Sequence, residues 1–493
     1  MLSIYKYILL ILPPLLLFSA CEEFTDFNEN LNEPTTVSAD VLLTSSQRQA
    51  MNTLVTESFL LGNNIAQLTA KTLRTEVDSY NWNAFPTVWE GLYESLTDIQ
   101  GVRSLAEKSG DQALEGVAIV WQTFIFSVLT NAYGDIPYFE AIKGNSNNFT
   151  PSYDAQADIY ADMLQQLATA NDLLAEGGII SGDIIYNGNA TQWQKLANSL
   201  RLRLIMGANQ QLPDAAAAFK IIVENFPIID NNEASATLTY LNGFPNQYPL
   251  IPLKTGDFDA VNLSQTALDA MQETADPRLL RYARPSDDDY NKIDALFGAF
   301  NGSNTSECTK NGSRLGAQYW NDPNQIQAND LGLNAAEGII MTYAEVQFLL
   351  AEATAKGWLI GDAAMFYNQG IAASMEYYNV DYAAAGWEDF NDYYTNSGVA
   401  YQGVKDIWEQ KWLALFFHGL EPYFELRRWY HESGMDWADI PFLNAPCSNI
   451  NNDELPLRFL YPGEEQSLNR SNYVKAVERL GDNSQNAKMW LVQ

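Results

Sequence analysis

Apolar residues recur at three- and four-residue steps along most of this chain, the spacing that gathers side chains onto one face of an α-helix. Leu92, Leu96, Ile99 and Val102 do so in one segment, and Trp121, Ile125, Val128 and Leu129 in the next, which stops at Gly134. Tyr160, Leu164, Leu167 and Ala168 mark a third, and Trp193, Leu196, Leu200 and Leu204 a fourth. Tyr343, Val346, Leu350 and Ala353 predict a helix ending near Gly357. Tyr367, Ile371, Met375 and Tyr378 predict its antiparallel partner after a short turn. Each pair leaves an apolar face that must stack on a neighbour, so pairs in series predict a helical array. Two stretches rich in Gly, Pro, Asn and Asp interrupt the pattern, at 241–263 and 286–337. Loops of that length inside a compact protein are commonly functional.

The helix pairs resemble tetratricopeptide units of about 34 residues, although no strict repeat is legible. The expected fold is therefore mostly α, a tetratricopeptide-like helical array with long irregular loops and minor β-strand. An irregular helical domain without superhelical order is the alternative.

The first 21 residues read differently. Lys6 precedes an apolar run at 8–18 (ILLILPPLLLF), followed by the small residues Ser19 and Ala20 and then Cys21. That is the layout of an exported precursor. The run is shorter than the roughly 20 residues a membrane span needs, and Pro13 and Pro14 would break such a helix. Cys21 behind small residues resembles a bacterial lipobox, with Phe18 where such boxes prefer Leu. Acyl chains on Cys21 would hold the mature protein to a membrane; ordinary secretion with an incidental cysteine is the other reading. The chain thus divides into a lipoprotein signal at 1–20, a lipidated polar leader at 21–40 and one helical body at 41–493.

Charge and cysteine content narrow the chemistry. Among 493 residues, 28 are basic and 61 acidic, a formal net charge of −33. Such a chain repels phosphate backbones, which argues against nucleic acid, and suits a neutral ligand or a partner with basic patches. The three cysteines are Cys21, Cys308 and Cys447, and the only histidines are His418 and His431. Cys308 and Cys447 can form one disulfide or remain two thiols. No zinc-type spacing exists, and no metal or other cofactor is expected. Asp287, Asp288 and Asp289 fail as an EF-hand start, because loop positions six and twelve are Lys292 and Gly298; an irregular calcium site stays open. Asn301-Gly-Ser and Asn311-Gly-Ser read as turns.

Five aromatic residues stand in loop contexts: Tyr80 and Trp82 in the polar run TEVDSYNWNAF, and Tyr290, Tyr319 and Trp320 in the second long stretch. Flat rings beside Asn, Asp and Gln suit a sugar, whose C–H face stacks while its hydroxyls are hydrogen-bonded; they would equally grip a peptide. Burial against the scaffold is the competing reading for each ring. Glu421, Arg427 and Arg428, flanked by Trp412, Phe416, Phe417, Tyr423 and Phe424, read as a buried paired network before they read as an active centre. His418 belongs to the same apolar context and reads as a core histidine.

Several runs together resemble the SusD/RagB family of Bacteroidetes surface lipoproteins. They are NAYGDIPYFEA at 131–141, PSYDAQADIYADM at 151–163, DIIYNGNATQWQKLANSLRLRLIM at 183–206, DPRL at 276–279, MTYAEVQFLLAEATAKG at 341–357, IWEQKWLALFFHGLEPYFELRRW at 407–429 and YPGEEQSLNRSNY at 461–473. The third run is similar to a strand–turn–helix element of one branch, with Asn187 and Asn189 where that branch often has Gly and Asp. Glu22 and Glu23 resemble the family's export signal to the outer face of the outer membrane. The resemblance implies a tetratricopeptide-like fold and no catalysis. It also implies delivery of a bound oligosaccharide or oligopeptide to a TonB-dependent (SusC-like) outer-membrane transporter. A surface hydrolase of glycosidase type using two carboxylates, or a protein-binding scaffold, are the alternatives. No G-x-S-x-G, HExxH or P-loop run is present.

Overall fold

The computed structural model describes residues 37–144, 147–241, 243–284, 312–316, 318–319, 336–446 and 449–493. Cys21, Cys308, Cys447, Tyr290, Trp320, Asp287–Asp289, Asn301 and Asn311 lie outside the described residues.

Twelve helices of nine residues or more are described: α1 (Ala39–Glu57), α2 (Pro86–Ser109), α3 (Gln112–Tyr133), α4 (Gln156–Leu174), α5 (Ala190–Gly207), α6 (Ala215–Asn225), α7 (Gln265–Glu273), α8 (Tyr343–Ala355), α9 (Ala363–Tyr377), α10 (Val404–Ala414), α11 (Glu421–Glu432) and α12 (Arg470–Leu480). Four short strands accompany them: β1 (Thr69–Lys71), β2 (Ala236–Thr239), β3 (Val261–Leu263) and β4 (Glu337–Met341). Helices adjacent in sequence pack in succession, α1 on α2, α2 on α3, and so on to α6; α8 packs on both α9 and α10. This is the mostly helical architecture that the periodicity predicts.

Local chemistry sets the helix ends. Pro86 opens α2, where its missing N–H costs nothing. Asp111 caps α3 by accepting from the Leu114 N–H at 3.0 Å, and Asn189 caps α5 by accepting from the Thr191 and Gln192 N–H groups. Gly134 ends α3 at φ 84°, a left-sided conformation that only glycine adopts cheaply. The 22 residues of α3 are long and apolar enough to cross a membrane, but that helix is largely buried inside the body and serves as its core. Gly370 of α9 lets that helix approach α8 so closely that a Cβ there would meet the Phe348 ring at 2.9 Å.

One apolar core runs from Leu43 to Val492, with a smaller cluster among α8, α9, α10 and the 390–401 segment. The segment at 183–189 departs from the expected strand–turn–helix element. Asp183 organises it as a turn, its carboxylate accepting from the Ile185, Tyr186 and Gly188 N–H groups and from the Trp193 indole. The nearest thing to a strand there is a single bridge between Ile179 and Asn189.

Candidate functional site

Both long loop stretches rise from two small antiparallel sheets. In the first, β1 pairs with β3 in the register Thr69↔Leu263 and Lys71↔Val261. Residues 312–315 join beside β3, through the Leu263 N–H to the Ser313 carbonyl at 3.0 Å and a bridge between Asn262 and Arg314. Ala283 bridges to Leu315, so the chain leaves and re-enters this sheet at neighbouring points, and Arg314 pairs with Asp259 across it. In the second sheet β2 pairs with β4, Thr239 opposite Glu337, and Ala336 leads into it. Loop 72–85 follows β1 directly, and the turn at 241–246 follows β2.

Loop 72–85 is held from beneath. The buried Asp78 carboxylate accepts from the Lys71 N–H at 2.7 Å. Burial pushes this carboxyl up to about 7, against the downward pull of that hydrogen bond and the Lys71 charge. Tyr80, only 1% exposed, donates its hydroxyl to the Ile65 carbonyl at 3.0 Å. Trp82, 6% exposed, donates its indole N–H to the Val77 carbonyl at 3.1 Å. Its ring meets Phe85, Tyr423 and Phe459 edge-on, with centroids 5.6, 5.6 and 5.5 Å away. The Gln485 amide clamps both residues, accepting from the Trp82 N–H and donating to the Tyr80 carbonyl. Tyr319, 3% exposed, stacks face to face on Phe417 at 4.1 Å.

These positions correct the expectation that Tyr80, Trp82 and Tyr319 present their faces to a ligand. The structure makes all three core rings: Trp82 and Tyr319 pack on rings from distant parts of the chain, and Tyr80 is buried with its hydroxyl on the Ile65 carbonyl. Of the other two expected rings, Tyr290 and Trp320, the described residues say nothing. Among the described residues no tryptophan or tyrosine stands out into solvent. Loop 72–85 instead exposes Leu73, Arg74, Glu76, Asn81 and Asn83.

The 241–263 stretch carries the most exposed aromatic ring among the described residues. A turn closed by the Leu241 N–H to the Asn246 carbonyl at 2.8 Å holds Phe244 at 87% exposure and Leu241 at 62%. Arg48 steadies it from α1, donating to the Asn246 side chain at 3.0 Å. Behind the turn, Tyr240 and Tyr248 pack edge-to-face at 5.3 Å. Sequence periodicity could not single out Phe244, because its exposure depends on where the turn is pinned.

A second cluster is electrostatic. Arg428 donates to Glu352, Glu425 and Glu432, and Lys411 lies 3.1 Å from Glu425. Arg203 forms a two-pronged pair with Glu345 and lies 3.7 Å from Glu421. Arg427 donates to the carbonyls of Asn131 and Leu457, tying α11 to α3 and to the C-terminal segment. Burial pushes Glu421 up to about 7 against the pull of Arg203. Burial also opposes ionisation of Glu425, but Arg428 and Lys411 outweigh it and hold that carboxyl near 2. The cleft lined by Arg203, Glu421, Glu425, Arg427 and Arg428 measures about 20 Å³, room for about one water molecule. The network reading made from sequence holds, and His418 is a core histidine. Its Nδ1 sits 3.2 Å from the Phe416 carbonyl and its Nε2 3.4 Å from the Thr342 hydroxyl.

A family model, SusD-like_2, described as "Starch-binding associating with outer membrane", matches residues 30–462. The chain belongs to the SusD-like family. Members of this family are binding proteins, not enzymes, and are outer-membrane associated. A SusD homologue from Bacteroides fragilis shares 26% identity, with a TM-score of 0.75 over 93% of this chain and 100% of that one. A SusD homologue from Bacteroides uniformis superposes with a TM-score of 0.71 at 21% identity, covering 91% of this chain and 99% of its own. A chitin-binding SusD homologue from Flavobacterium johnsoniae gives a TM-score of 0.73 at 20% identity, over 92% and 98% of the two chains. At such identities the latter two establish the shared SusD-like fold alone. No curated protein matches the chain.

Proposed function

We propose that this SusD-like chain is a cell-surface lipoprotein that captures a nutrient oligomer and delivers it to a TonB-dependent (SusC-like) transporter. The observation that carries the reading is the family match across residues 30–462, with its description as starch-binding and outer-membrane associating. The chitin-binding homologue with the same fold favours an oligosaccharide over an oligopeptide. Acylation of Cys21 supplies the anchor, and the body faces the cell exterior. We assign the ligand surface to loop 72–85 and the turn at 241–246. Its exposed elements are Phe244, Leu241 and the outer side chains of loop 72–85, while Tyr80, Trp82 and Tyr319 keep that surface rigid from below. Tyr290 and Trp320 stay as candidate contacts from the 286–337 stretch.

A glycan and peptide array probed with the lipid-free chain tests this reading. The expected result is capture of a glycan class with roughly micromolar affinity, about −8 kcal/mol, and recovery of the glycan uncut. Losing a ring that stacks on a ligand costs on the order of 1–3 kcal/mol by analogy with base stacking. Phe244→Ala should therefore weaken capture about tenfold without shifting the melting temperature. Capture of peptides alone would replace the oligosaccharide, and turnover that maps to a carboxylate pair would overturn the binding role.

A further inference from the structure

One apolar side chain stands almost free in solvent beside the point where the leader enters the body. Ile179 is 92% exposed. It follows the turn at Gly177 and Gly178 and precedes Gly182, at φ 74°, 143° and 83°, and its backbone bridges to Asn189. Their positive φ is the conformation glycine adopts without strain. The turn is fastened to the first turn of α1. Gly182 rests so closely on Asp40 that a Cβ would meet its carbonyl oxygen at 2.2 Å, and the Thr44 hydroxyl donates to the Gly182 carbonyl at 2.6 Å. On α1 itself Val41 is 55% exposed, and Val37, the first described residue, 48%. Ile180, the next residue along, is buried at 4% and ties the turn to the core, its N–H donating to the Gly188 carbonyl at 3.0 Å. The finger is therefore rigidly seated and apolar at Ile179.

We propose that this end of the body, with Ile179 leading and Val37 and Val41 beside it, rests on the lipid surface to which the leader tethers the chain. The inference rests on the reading of Cys21 as the acylated residue. Other exposed apolar side chains exist, Ile360 at 97% and Phe244 at 87% among them, but Ile360 lies between α8 and α9 and Phe244 beyond β2. The Ile179 turn, by contrast, is fastened through Gly182 to Asp40 and Thr44 of α1, the helix that follows the leader. From Cys21 to Val37 is 16 residue steps, a span of at most about 55 Å. A tether of that length raises the local concentration of lipid at the finger to roughly the millimolar range. Under such proximity even a small apolar contact, too weak to recruit a free protein, is populated. The occupant is a bilayer surface, because the segment that arrives at the patch is the one that carries the acyl group.

The test compares amide hydrogen exchange of the whole mature chain free in solution and held on vesicles. Two forms are used: the native lipoprotein reconstituted into phosphatidylcholine vesicles, and the chain from residue 22 with an N-terminal hexahistidine on phosphatidylcholine vesicles carrying a nickel-chelating lipid. In both, exchange across 175–182 and 37–42 should slow severalfold on the vesicle, while the turn at 356–362 that carries Ile360 is unchanged. Ile179→Asp should abolish the slowing on the vesicle and leave exchange in solution as it was. Unchanged exchange at 175–182 in the hexahistidine form overturns the proposal, as does equal slowing at 356–362. Whether Cys21 is acylated is read separately from the mass of the N-terminal peptide. Failure of the anchor is thereby distinguished from failure of the contact.

Discussion

Replacing Trp82 by Ala should unfold the protein more readily without touching its ligand surface directly. The ring is 6% exposed and packs edge-on against Phe85, Tyr423 and Phe459. Truncating such a side chain typically costs about 3–5 kcal/mol, from lost transfer free energy and the cavity left behind. The same change strands the Val77 carbonyl that accepts from the indole N–H, one source of cost at the upper end of that range. Trp82→Phe keeps most of the packing and should cost about half as much. Urea denaturation followed by far-ultraviolet circular dichroism reads the effect as a lower midpoint at an unchanged slope. Phe244→Ala is the control: at 87% exposure it should move stability by no more than about 0.5 kcal/mol. If Trp82→Ala keeps the wild-type midpoint yet loses glycan affinity, the ring is a ligand contact and the packing argument is wrong.

Three further outcomes follow from named contacts. Arg278 is fully buried, pairs with Asp276 at 2.6 Å and also donates to Gln410 and Ser374. Arg278→Ala leaves the buried Asp276 carboxylate without its cation and should cost about 3–5 kcal/mol in urea; no change in midpoint would show the pair to be dispensable. Cys21→Ala should move the protein from the membrane to the soluble fraction after a carbonate wash without altering its melting; retention in the membrane would refute the anchor. Burial lowers His418 from 6.5 to about 4, so the neutral ring's contribution is present above pH 6.5 and is lost as pH falls through about 4. The stability advantage of wild type over His418→Asn should therefore shrink by up to about 3 kcal/mol between pH 7 and pH 4, and an advantage independent of pH would refute the assignment.

The helices were legible because their apolar spacing is a local property. The periodic positions named for α2, α3, α4, α5 and α8 all fall inside those elements, and Gly134 and Gly357 carry the positive φ that stops a helix. The buried network was legible too, since charged residues set among Trp412, Phe416, Tyr423 and Phe424 had to be paired to be tolerated. The rings were not, and the reason is physical. Trp82 sits in a polar run, but its partners Tyr423 and Phe459 lie more than 300 positions further along, so no window of sequence contains the contact. Tyr319 likewise owes its burial to Phe417, whose φ of 63° is fixed by the Asn63 side chain accepting from its N–H at 3.1 Å. The exposed Ile179 was invisible for the converse reason. Ile179 and Ile180 look alike in sequence, and only the glycine-shaped turn sends one inward and the other out.

The cluster around Glu421 shows how a binding protein can look like an enzyme. A carboxyl held near 7 is what a general acid at neutral pH requires, and perturbed carboxyls beside arginines often mark active sites. Here the perturbation has another origin. Burial raises Glu421, and its like-charged neighbours Glu345 and Glu425 add to the effect while Arg203 opposes it. Glu352, Glu425 and Glu432 are already engaged by Arg428. A sugar would have to displace those partners and enter a cleft of about 20 Å³, large enough for about one water and far too small for a pyranose ring. What the cluster does achieve is geometric. Arg203 joins α5 to α8, Arg428 joins α11 to α8, and Lys411 brings in α10, so helices remote in sequence are locked in one register. Removing one partner would leave a buried charge uncompensated.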